Sequence, residues 1–206
     1  MGRGARVVEI GGALSGFQFV LSRGGASVWN VDPFVDYGVG EYGLDPDAVH
    51  ARLNRYFRTD VRLCHSTLSE AALPSDSFDR IYCISTIEHL ELDELTSTLR
   101  EACRILRGGG LAVLTVDLFL NLEPFTTRAR NEWGRNISIK DLVETSGMRL
   151  VYGDPDLLYG FSTFDPDRIQ ANLERYFVGE YPTLTQLVVV QKEDGDGHPP
   201  LRRDLF

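Results

Sequence analysis

Short apolar runs alternate along the chain with segments in which apolar residues recur every three or four positions. Seven runs of strand length predict β-strands over residues 6–10, 27–31, 61–64, 79–86, 111–118, 148–152 and 184–191. Helical spacing and start signals predict helices over residues 15–23, 45–56, 91–106, 138–146 and 165–177. The clearest helix is 91–106, because its apolar residues share one face: Leu92, Leu95, Leu99, Cys103 and Leu106.

The helix ends carry their own signals. Asp45 and Asp165 each precede a proline, which is typical of an N-cap followed by the first helical residue. Ser138 with Asp141 resembles a capping box. The RGGG run at 107–110 is expected to stop the helix before it, so that the next strand begins at residue 111.

The regular alternation of strands and helices predicts an α/β fold with a doubly wound, seven-stranded, mostly parallel sheet. The sequence contains no internal repeat and no interior linker, which indicates a single domain over residues 1–192. Residues 193–206 are charged and rich in glycine and proline, so we expect them to form a flexible tail.

Charge and cysteine content limit the partners and the compartment. The 206 residues include 30 acidic and 21 basic side chains, giving a formal net charge of −9 that disfavours nucleic acid and anionic membranes as partners. The sequence shows neither a signal peptide nor an apolar run of membrane-spanning length. Cys64, Cys83 and Cys103 form no CxxC pair, which indicates reduced thiols in a cytoplasmic protein and no metal site.

Glycines and a carboxylate follow the first two predicted strands, at the sheet edge where doubly wound folds bind ligands. Gly11, Gly12, Ser15 and Gly16 let the backbone approach a ligand closely. Asp32 ends the second strand, and a carboxylate there can accept hydrogen bonds from both ribose hydroxyls. Together these residues favour a nucleoside ligand over a turn that binds nothing.

The glycine turn is compatible with two cofactors. A dinucleotide fingerprint needs a glycine at its middle position, where the pyrophosphate comes close to the backbone. In this sequence that position is Ala13, which weakens the case for an NAD-binding oxidoreductase. In the second pattern an acidic strand residue, Glu9, precedes one apolar residue and the glycine turn.

The stretch VVEIGGALSG resembles the first motif of class I S-adenosylmethionine-dependent methyltransferases, with Ser15 where a glycine is common. Four later segments, in the same order and spacing, are similar to small-molecule members of that family: LPSDSFDRIYCISTIEHL, LRGGGLAVLTVD, ISIKDLVETSGMRLV and TLTQLVVVQK. The resemblance implies an enzyme with the Rossmann-like methyltransferase fold and an antiparallel last strand. It also implies S-adenosylmethionine as cofactor and S-adenosylhomocysteine as product.

The resemblance further implies roles for individual residues. Along the methionine and ribose of the cofactor it places Glu9, Gly11, Gly12, Ser15 and Gly16, with Asp32 on the ribose hydroxyls. On the adenine side it places Pro33, Phe34, Thr67 and Leu68, and at the methionine end Ser85 and Thr86.

His89 is the candidate catalytic residue, because it alone of the four histidines lies just beyond the fourth strand. Methyl transfer mainly requires that the acceptor be held in line with the methyl group. An alcohol or phenol also has to lose a proton, and histidine is the natural base near neutrality. O-methylation is therefore favoured slightly over N- or C-methylation. The alternative is that His89 is a structural residue that only caps or packs against the turn. His50 lies in a predicted helix and is expected on its surface.

The sequence disfavours several acceptor classes. STIE stands where adenine-DNA methyltransferases carry (D/N)PP(Y/F), and the clustered carboxylates of metal-dependent catechol-type enzymes are not found. We therefore expect a small-molecule acceptor. Its choice should depend on residues 37–42, 120–136 and 154–164, which include Phe125, Arg128, Arg130, Trp133, Tyr159 and Phe161.

Two other interpretations stay open. The first strand starts at Arg6, whereas in many relatives helices precede it and cover the cofactor. The chain could thus be a methyltransferase-like protein that binds without catalysing, or a subunit of a larger assembly, and a homodimer would complete the cover. The NAD-binding oxidoreductase is the less favoured alternative.

Overall fold

A computed structural model of the protein describes residues 4–34, 45–176 and 183–194. They include one seven-stranded sheet with the order β3-β2-β1-β4-β5-β7-β6. The strands are β1 Arg6–Ile10, β2 Ser27–Val31, β3 Arg62–Cys64, β4 Phe78–Ile84, β5 Leu106–Phe119, β6 Arg149–Tyr152 and β7 Thr183–Gln191.

The strand directions confirm the predicted fold class. Strands β1 to β5 pair in parallel, whereas β7, the last strand in the chain, is antiparallel to both β5 and β6. From β1 the chain first builds the sheet outward through β2 and β3, and it then returns to place β4 on the other side of β1. The carboxyl ends of β1 and β4 therefore flank the point where strand order reverses, which is the usual ligand crevice of such sheets.

The helices begin where their capping residues predict. Asp45 accepts hydrogen bonds from the amides of Asp47 and Ala48 at 3.0 and 3.3 Å, and Ser138 and Asp165 cap in the same way. The helices are α1 Phe17–Arg23, α2 Pro46–Phe57, α3 Leu92–Ile105, α4 Ile139–Ser146, α5 Pro166–Ala171 and α6 Leu173–Tyr176, with a 3-10 turn at Ile87–His89. Within the three described ranges, no helix is long and apolar enough to cross a membrane.

Apolar residues on the two faces of the sheet form two separate cores. On one face Val7 and Val28 pack with Phe19 of α1, in a cluster that also includes side chains of α2. On the other face the alternate strand residues, such as Val8 and Ile81, pack in a larger cluster with α3 and α4. Each fully buried aliphatic or aromatic side chain contributes about 1.5–3 kcal/mol, so these layers stabilise the sheet.

Two predicted elements differ from the structure by more than a shift of one or two residues at an end. Strand β5 begins at Leu106 rather than at residue 111, because the glycines that were expected to form a turn pair with Lys192: Gly109 donates to its carbonyl and Gly110 accepts from its amide, both at 3.0 Å. The single helix expected over 165–177 is interrupted at Asn172 and forms α5 and α6. Of the predicted tail, residues 195–206 lie outside the described residues, as does the whole of the expected acceptor loop at 37–42.

Candidate cofactor site at the sheet edge

A cavity of about 620 Å³ lies beside residues 11–16, which we call the glycine turn. The turn connects β1 to α1, and the cavity is also lined by Ile84, the last residue of β4, and by Ser85, which follows it. The residues lining the cavity are Glu9, Gly11, Gly12, Ala13, Leu14, Ser15, Phe17, Ile84 and Ser85. The cavity therefore lies where the order of the strands reverses.

Two glycines of the turn are required by their surroundings. Gly11 has a φ of +67°, and a Cβ on it would collide with the side chain of Thr86. A Cβ on Gly12 would lie 2.7 Å from both the Asn30 Oδ1 and the Glu9 Cδ atoms. The backbone thus passes so close to β1, β2 and β4 that only glycine fits at these two positions.

Glu9 is a buried carboxyl group with only one oxygen engaged. Its side chain is 2% exposed, and Ser15 Oγ donates a hydrogen bond to Oε1 at 3.1 Å. Oε2 is buried and has no hydrogen-bond partner among the described residues. Burial raises the pKa of Glu9 to about 7; the Ser15 hydrogen bond opposes this rise, and the negative charge of Asp32 adds to it.

Asp32 connects the end of β2 to the glycine turn. It is 5% exposed, and its two oxygens accept hydrogen bonds from the amides of Ala13 at 2.8 Å and Phe34 at 2.7 Å. Both amide donors belong to residues with positive φ, 42° for Ala13 and 57° for Phe34, a conformation that non-glycine residues rarely adopt. Sequence reasoning assigned Asp32 to a ribose, and the structure adds that it holds two unusual backbone conformations in place.

The residues predicted for the adenine side contact neighbouring side chains of the protein. The ring of Phe34, which is 4% exposed, lies 5.3 Å from the imidazole of His65, and His65 Nε2 donates to the Pro33 carbonyl at 3.0 Å. Thr67 Oγ1 donates to Glu70 Oε2 at 2.7 Å. The Leu68 side chain is part of the core and 2% exposed, so that contact with a ligand would have to use its backbone.

The predicted methionine end lies at the carboxyl end of β4. Ser85 has a φ of 45°, and its hydroxyl donates to Asp117 Oδ1 at 3.1 Å. Thr86 Oγ1 donates to the Ile84 carbonyl at 3.0 Å, and its side chain packs against Gly11. Three positions with strained φ, at Ala13, Phe34 and Ser85, therefore follow three neighbouring strands, a clustering typical of functional sites.

His89 and Glu88, which lie next to each other in the 3-10 turn, differ in exposure. His89 is exposed, and its Nδ1 is hydrogen-bonded to the Trp133 carbonyl; because a carbonyl only accepts, Nδ1 carries a proton, and in the neutral ring the lone pair is on Nε2. Glu88 is 1% exposed, and its Oε1 accepts from the Asp117 amide at 3.1 Å. Burial and the charge of Asp117 raise the pKa of Glu88 to about 7.

The expectation that His50 lies on a helix surface is wrong. His50 is 3% exposed and faces α1, where its Nε2 lies 2.9 Å from the side-chain oxygen of the buried Gln18. A signal for this was present in the sequence, since Leu53 and Phe57 follow His50 at three and seven positions, along the same helix face. Gln18 and Asn30, which contact the glycine turn, were also missed.

Two of the predicted acceptor segments meet through aromatic side chains. Phe164 contacts Phe125 and Tyr159, with ring centroids 6.3 and 5.5 Å apart. Arg130, one of the basic residues in the segments expected to determine acceptor choice, forms an ion pair with Glu91 at 2.7 Å. Across the described part of the chain, no group of three or more His, Cys, Asp and Glu side chains could hold a metal ion.

Fold and site together define an α/β protein with a nucleotide-type crevice at the switch point of its sheet. A family model described as Methyltransferase domain matches residues 8–114, which is just over half of the chain. The chain belongs to this family of class I S-adenosylmethionine-dependent methyltransferases, which are enzymes that use S-adenosylmethionine as cofactor. No curated protein sequence matches the chain.

Solved structures with this fold include proteins of different activities. The [4+2]-cyclase SpnF has a TM-score of 0.65 at 14% identity, over 95% of this chain and 78% of that chain. A S-adenosylmethionine-dependent methyltransferase from Methanosarcina mazei has a TM-score of 0.62 at 14% identity, over 94% and 95% of the two chains. The 1,6-didemethyltoxoflavin-N1-methyltransferase of Burkholderia thailandensis, with 1,6-didemethyltoxoflavin and S-adenosylhomocysteine bound, has a TM-score of 0.61 at 16% identity, over 93% and 72%. At these identities the likeness concerns the fold alone.

Proposed function

We propose that the cavity at the glycine turn binds S-adenosylmethionine, and that the protein transfers its methyl group to a small-molecule acceptor in the cytoplasm. The observation that carries the proposal is the cavity of about 620 Å³ at the switch point of the sheet, which is lined by the glycine turn and by Glu9. Gly12 lines this cavity, and packing against Glu9 and Asn30, which a Cβ would meet at 2.7 Å, requires a glycine there.

The charges around the cavity support this cofactor. S-adenosylmethionine carries a positive amino group and a positive sulfonium, and Glu9, a carboxyl residue, lines the cavity. A nearby positive charge favours the ionised form of a carboxyl group, so binding would lower the pKa of Glu9 from about 7. Asp32 accepts one hydrogen bond at each oxygen and has further acceptor capacity for ribose hydroxyls.

His89 supports O-methylation as the preferred reaction. The cofactor, when bound, supplies an electrophilic methyl group. In the neutral ring, the bond from His89 Nδ1 to the Trp133 carbonyl selects the tautomer whose Nε2 lone pair can accept the proton that an alcohol or phenol has to lose. The aromatic contacts among Phe125, Tyr159 and Phe164 favour a flat acceptor.

Binding is tested with a pair of matched substitutions. Ile84 lines the cavity and is 41% exposed, whereas Leu187 lies on the same face of the sheet, is 43% exposed and does not line the cavity. We expect Ile84→Trp to weaken the binding of S-adenosylhomocysteine at least about tenfold, the effect of losing about 1.4 kcal/mol of binding energy, and Leu187→Trp to leave it unchanged. Calorimetry measures both. The absence of binding to the folded wild-type protein, or equal affinities of the two variants, would refute the cavity as the cofactor site.

Methyl transfer is tested separately from binding. A panel of phenols, alcohols and amines is incubated with the protein and S-adenosylmethionine labelled in the methyl group, and labelled product is counted. With the acceptor that reacts, His89→Ala should lower kcat about 100-fold or more while cofactor affinity stays unchanged. Cofactor binding without transfer to any acceptor would instead favour the non-catalytic alternative, or another reaction such as that of the cyclase with this fold.

A further inference from the structure

A chain of buried polar side chains lies beneath the glycine turn. Gln18 of α1 is fully buried, and its Nε2 donates to the Ala13 carbonyl at 3.1 Å and to the Gly12 carbonyl at 3.4 Å. Its Oε1 lies 2.9 Å from His50 Nε2, on the neighbouring helix α2. The carbonyls of the turn are thereby connected to a residue that lies outside the cavity.

The hydrogen bonds allow only one form of the His50 ring. Gln18 Nε2 faces two carbonyls and must donate, so Gln18 Oε1 accepts and His50 Nε2 carries the proton. On the other side, Asn54 Nδ2 donates to the Val61 carbonyl at 2.8 Å and lies 3.5 Å from His50 Nδ1, which must therefore be the acceptor. The neutral imidazole protonated at Nε2 satisfies both neighbours.

The surroundings of His50 favour this neutral form. Burial lowers the pKa of His50, against the charge of Asp47 on the same helix, which raises it. The groups that α1 presents to the ring are uncharged: the amide of Gln18 and the ring of Phe19, whose centroid is 5.4 Å away. In a charged imidazole, Nδ1 would also carry a proton, and its N–H group would face the N–H donors of Asn54 Nδ2.

The glycine turn, which the buried polar side chains hold in place, is under strain. Ala13 has a φ of 42°, a conformation that is unfavourable for a residue other than glycine and persists only when neighbouring groups hold it. Three side chains do so: Asp32 binds the Ala13 amide at 2.8 Å, and Asn30 and Gln18 bind its carbonyl at 2.7 and 3.1 Å. Of these three, Gln18 is oriented by His50.

We propose that His50 is a positioning residue for the cofactor: its Nε2–H orients Gln18, which in turn fixes the carbonyls of Gly12 and Ala13 and so the shape of the cofactor-binding turn. This inference rests on the proposed binding of S-adenosylmethionine at the turn. It assigns to a residue outside the cavity a role in cofactor affinity and none in the proton transfer assigned to His89.

The test uses two substitutions whose amide nitrogens lie at different distances from the backbone. In His50→Gln the side-chain nitrogen can occupy the Nε2 position and donate to Gln18, whereas in His50→Asn the shorter side chain cannot reach it. At neutral pH we expect His50→Asn to raise the Kd for S-adenosylhomocysteine about tenfold, and His50→Gln to change it less than about twofold. With the active acceptor, the KM for S-adenosylmethionine should follow the Kd while kcat is retained.

Wild-type affinity in both variants, or equal loss in both, would overturn the inference. Should His50→Asn fail to fold, Gln18→Met removes the same connection with a side chain of similar size, and wild-type affinity in that variant would also overturn it. Nitrogen-15 NMR of the wild-type imidazole gives a measurement that needs no ligand, and a proton on Nδ1 would refute the network. If the wild-type protein itself does not bind S-adenosylhomocysteine, the proposed function fails, and the NMR result still decides the state of His50.

Discussion

Replacing Glu9 by glutamine should make the protein more stable, because the buried carboxyl group is costly when it is ionised. Glu9 is 2% exposed, and only its Oε1 has a hydrogen-bond partner among the described residues, the Ser15 hydroxyl. Glutamine has the same shape, keeps an oxygen for Ser15 and cannot ionise. Its amide nitrogen also offers a donor in the region of Asn30 Oδ1, which is buried and without a partner in the described part of the chain.

The size of the effect follows from the pKa of Glu9, which rises from 4.5 to about 7 on folding. Between these two values the folded chain binds more protons than the unfolded chain, so that the free energy of unfolding falls as the pH increases. Each pKa unit corresponds to about 1.4 kcal/mol, and the full cost is therefore about 3 kcal/mol above pH 7. At about pH 5.5 the cost is only about 1.4 kcal/mol. At that pH Glu9 is mostly ionised in the unfolded chain but still protonated in the folded one, so the folded state does not yet contain the buried charge.

Urea unfolding of the wild-type protein and of Glu9→Gln between about pH 5.5 and 8.5 measures the difference. The advantage of the variant should grow from about 1.4 to about 3 kcal/mol across that range and then level off. Glu132→Gln, which changes an exposed carboxyl group, serves as the control and should stay within about 0.5 kcal/mol of wild type at every pH. A difference between Glu9→Gln and wild type that does not change with pH would refute the assignment of Glu9 as protonated near neutrality.

Three further changes test the site. Gly12→Ala should cost about 1–3 kcal/mol in urea unfolding, since its Cβ would lie 2.7 Å from two buried side chains, whereas Gly16→Ala, with nothing within 4 Å, should cost nothing measurable. Asp32→Asn should cost about 1–3 kcal/mol and weaken S-adenosylhomocysteine binding in calorimetry, because its amide group would face a backbone donor, leaving the Ala13 or the Phe34 amide unpaired. Glu88→Gln should stabilise the protein more at about pH 8 than at about pH 5.5, because the pKa of Glu88 also rises to about 7 on folding. The same gain in the free energy of unfolding over wild type at both pH values would contradict this.

The elements that the sequence predicted well are those specified by local chemistry. Strands β1 and β2 have the predicted limits, since each is a compact apolar run with polar or glycine residues at its ends. Helix α3 begins and ends within one residue of its prediction, because its apolar residues recur along one face over four turns. The caps at Asp45 and Ser138 were likewise visible, as a cap needs only its own helix.

The features that sequence reasoning missed depend on residues far apart in the chain. The glycines of 107–110 suit a turn as well as a strand, and their pairing with Lys192 at the end of β7 decides between the two. His50 is polar and was assigned to the surface, although a buried polar group is tolerated when it has hydrogen-bond partners, and its partner Gln18 lies 32 positions earlier. The helix face that His50 shares with Leu53 and Phe57 indicates its burial, but a local pattern does not show which distant residue is its hydrogen-bond partner.

A comparison of Glu9 with Glu88 separates the effect of a buried carboxyl group on stability from its effect on cofactor binding. Both are buried carboxyl groups with one oxygen unpartnered among the described residues, and the pKa of each rises to about 7. Only Glu9 lines the cavity, while the engaged oxygen of Glu88 binds the Asp117 amide. If a positively charged cofactor compensates the cost of Glu9, then Glu9→Gln should combine its greater stability with weaker cofactor binding, whereas Glu88→Gln should gain stability and retain its affinity. Equal affinities in the two variants would mean that the charge of Glu9 does not serve the cofactor, and the site would then have to bind it through the glycine turn and Asp32 alone.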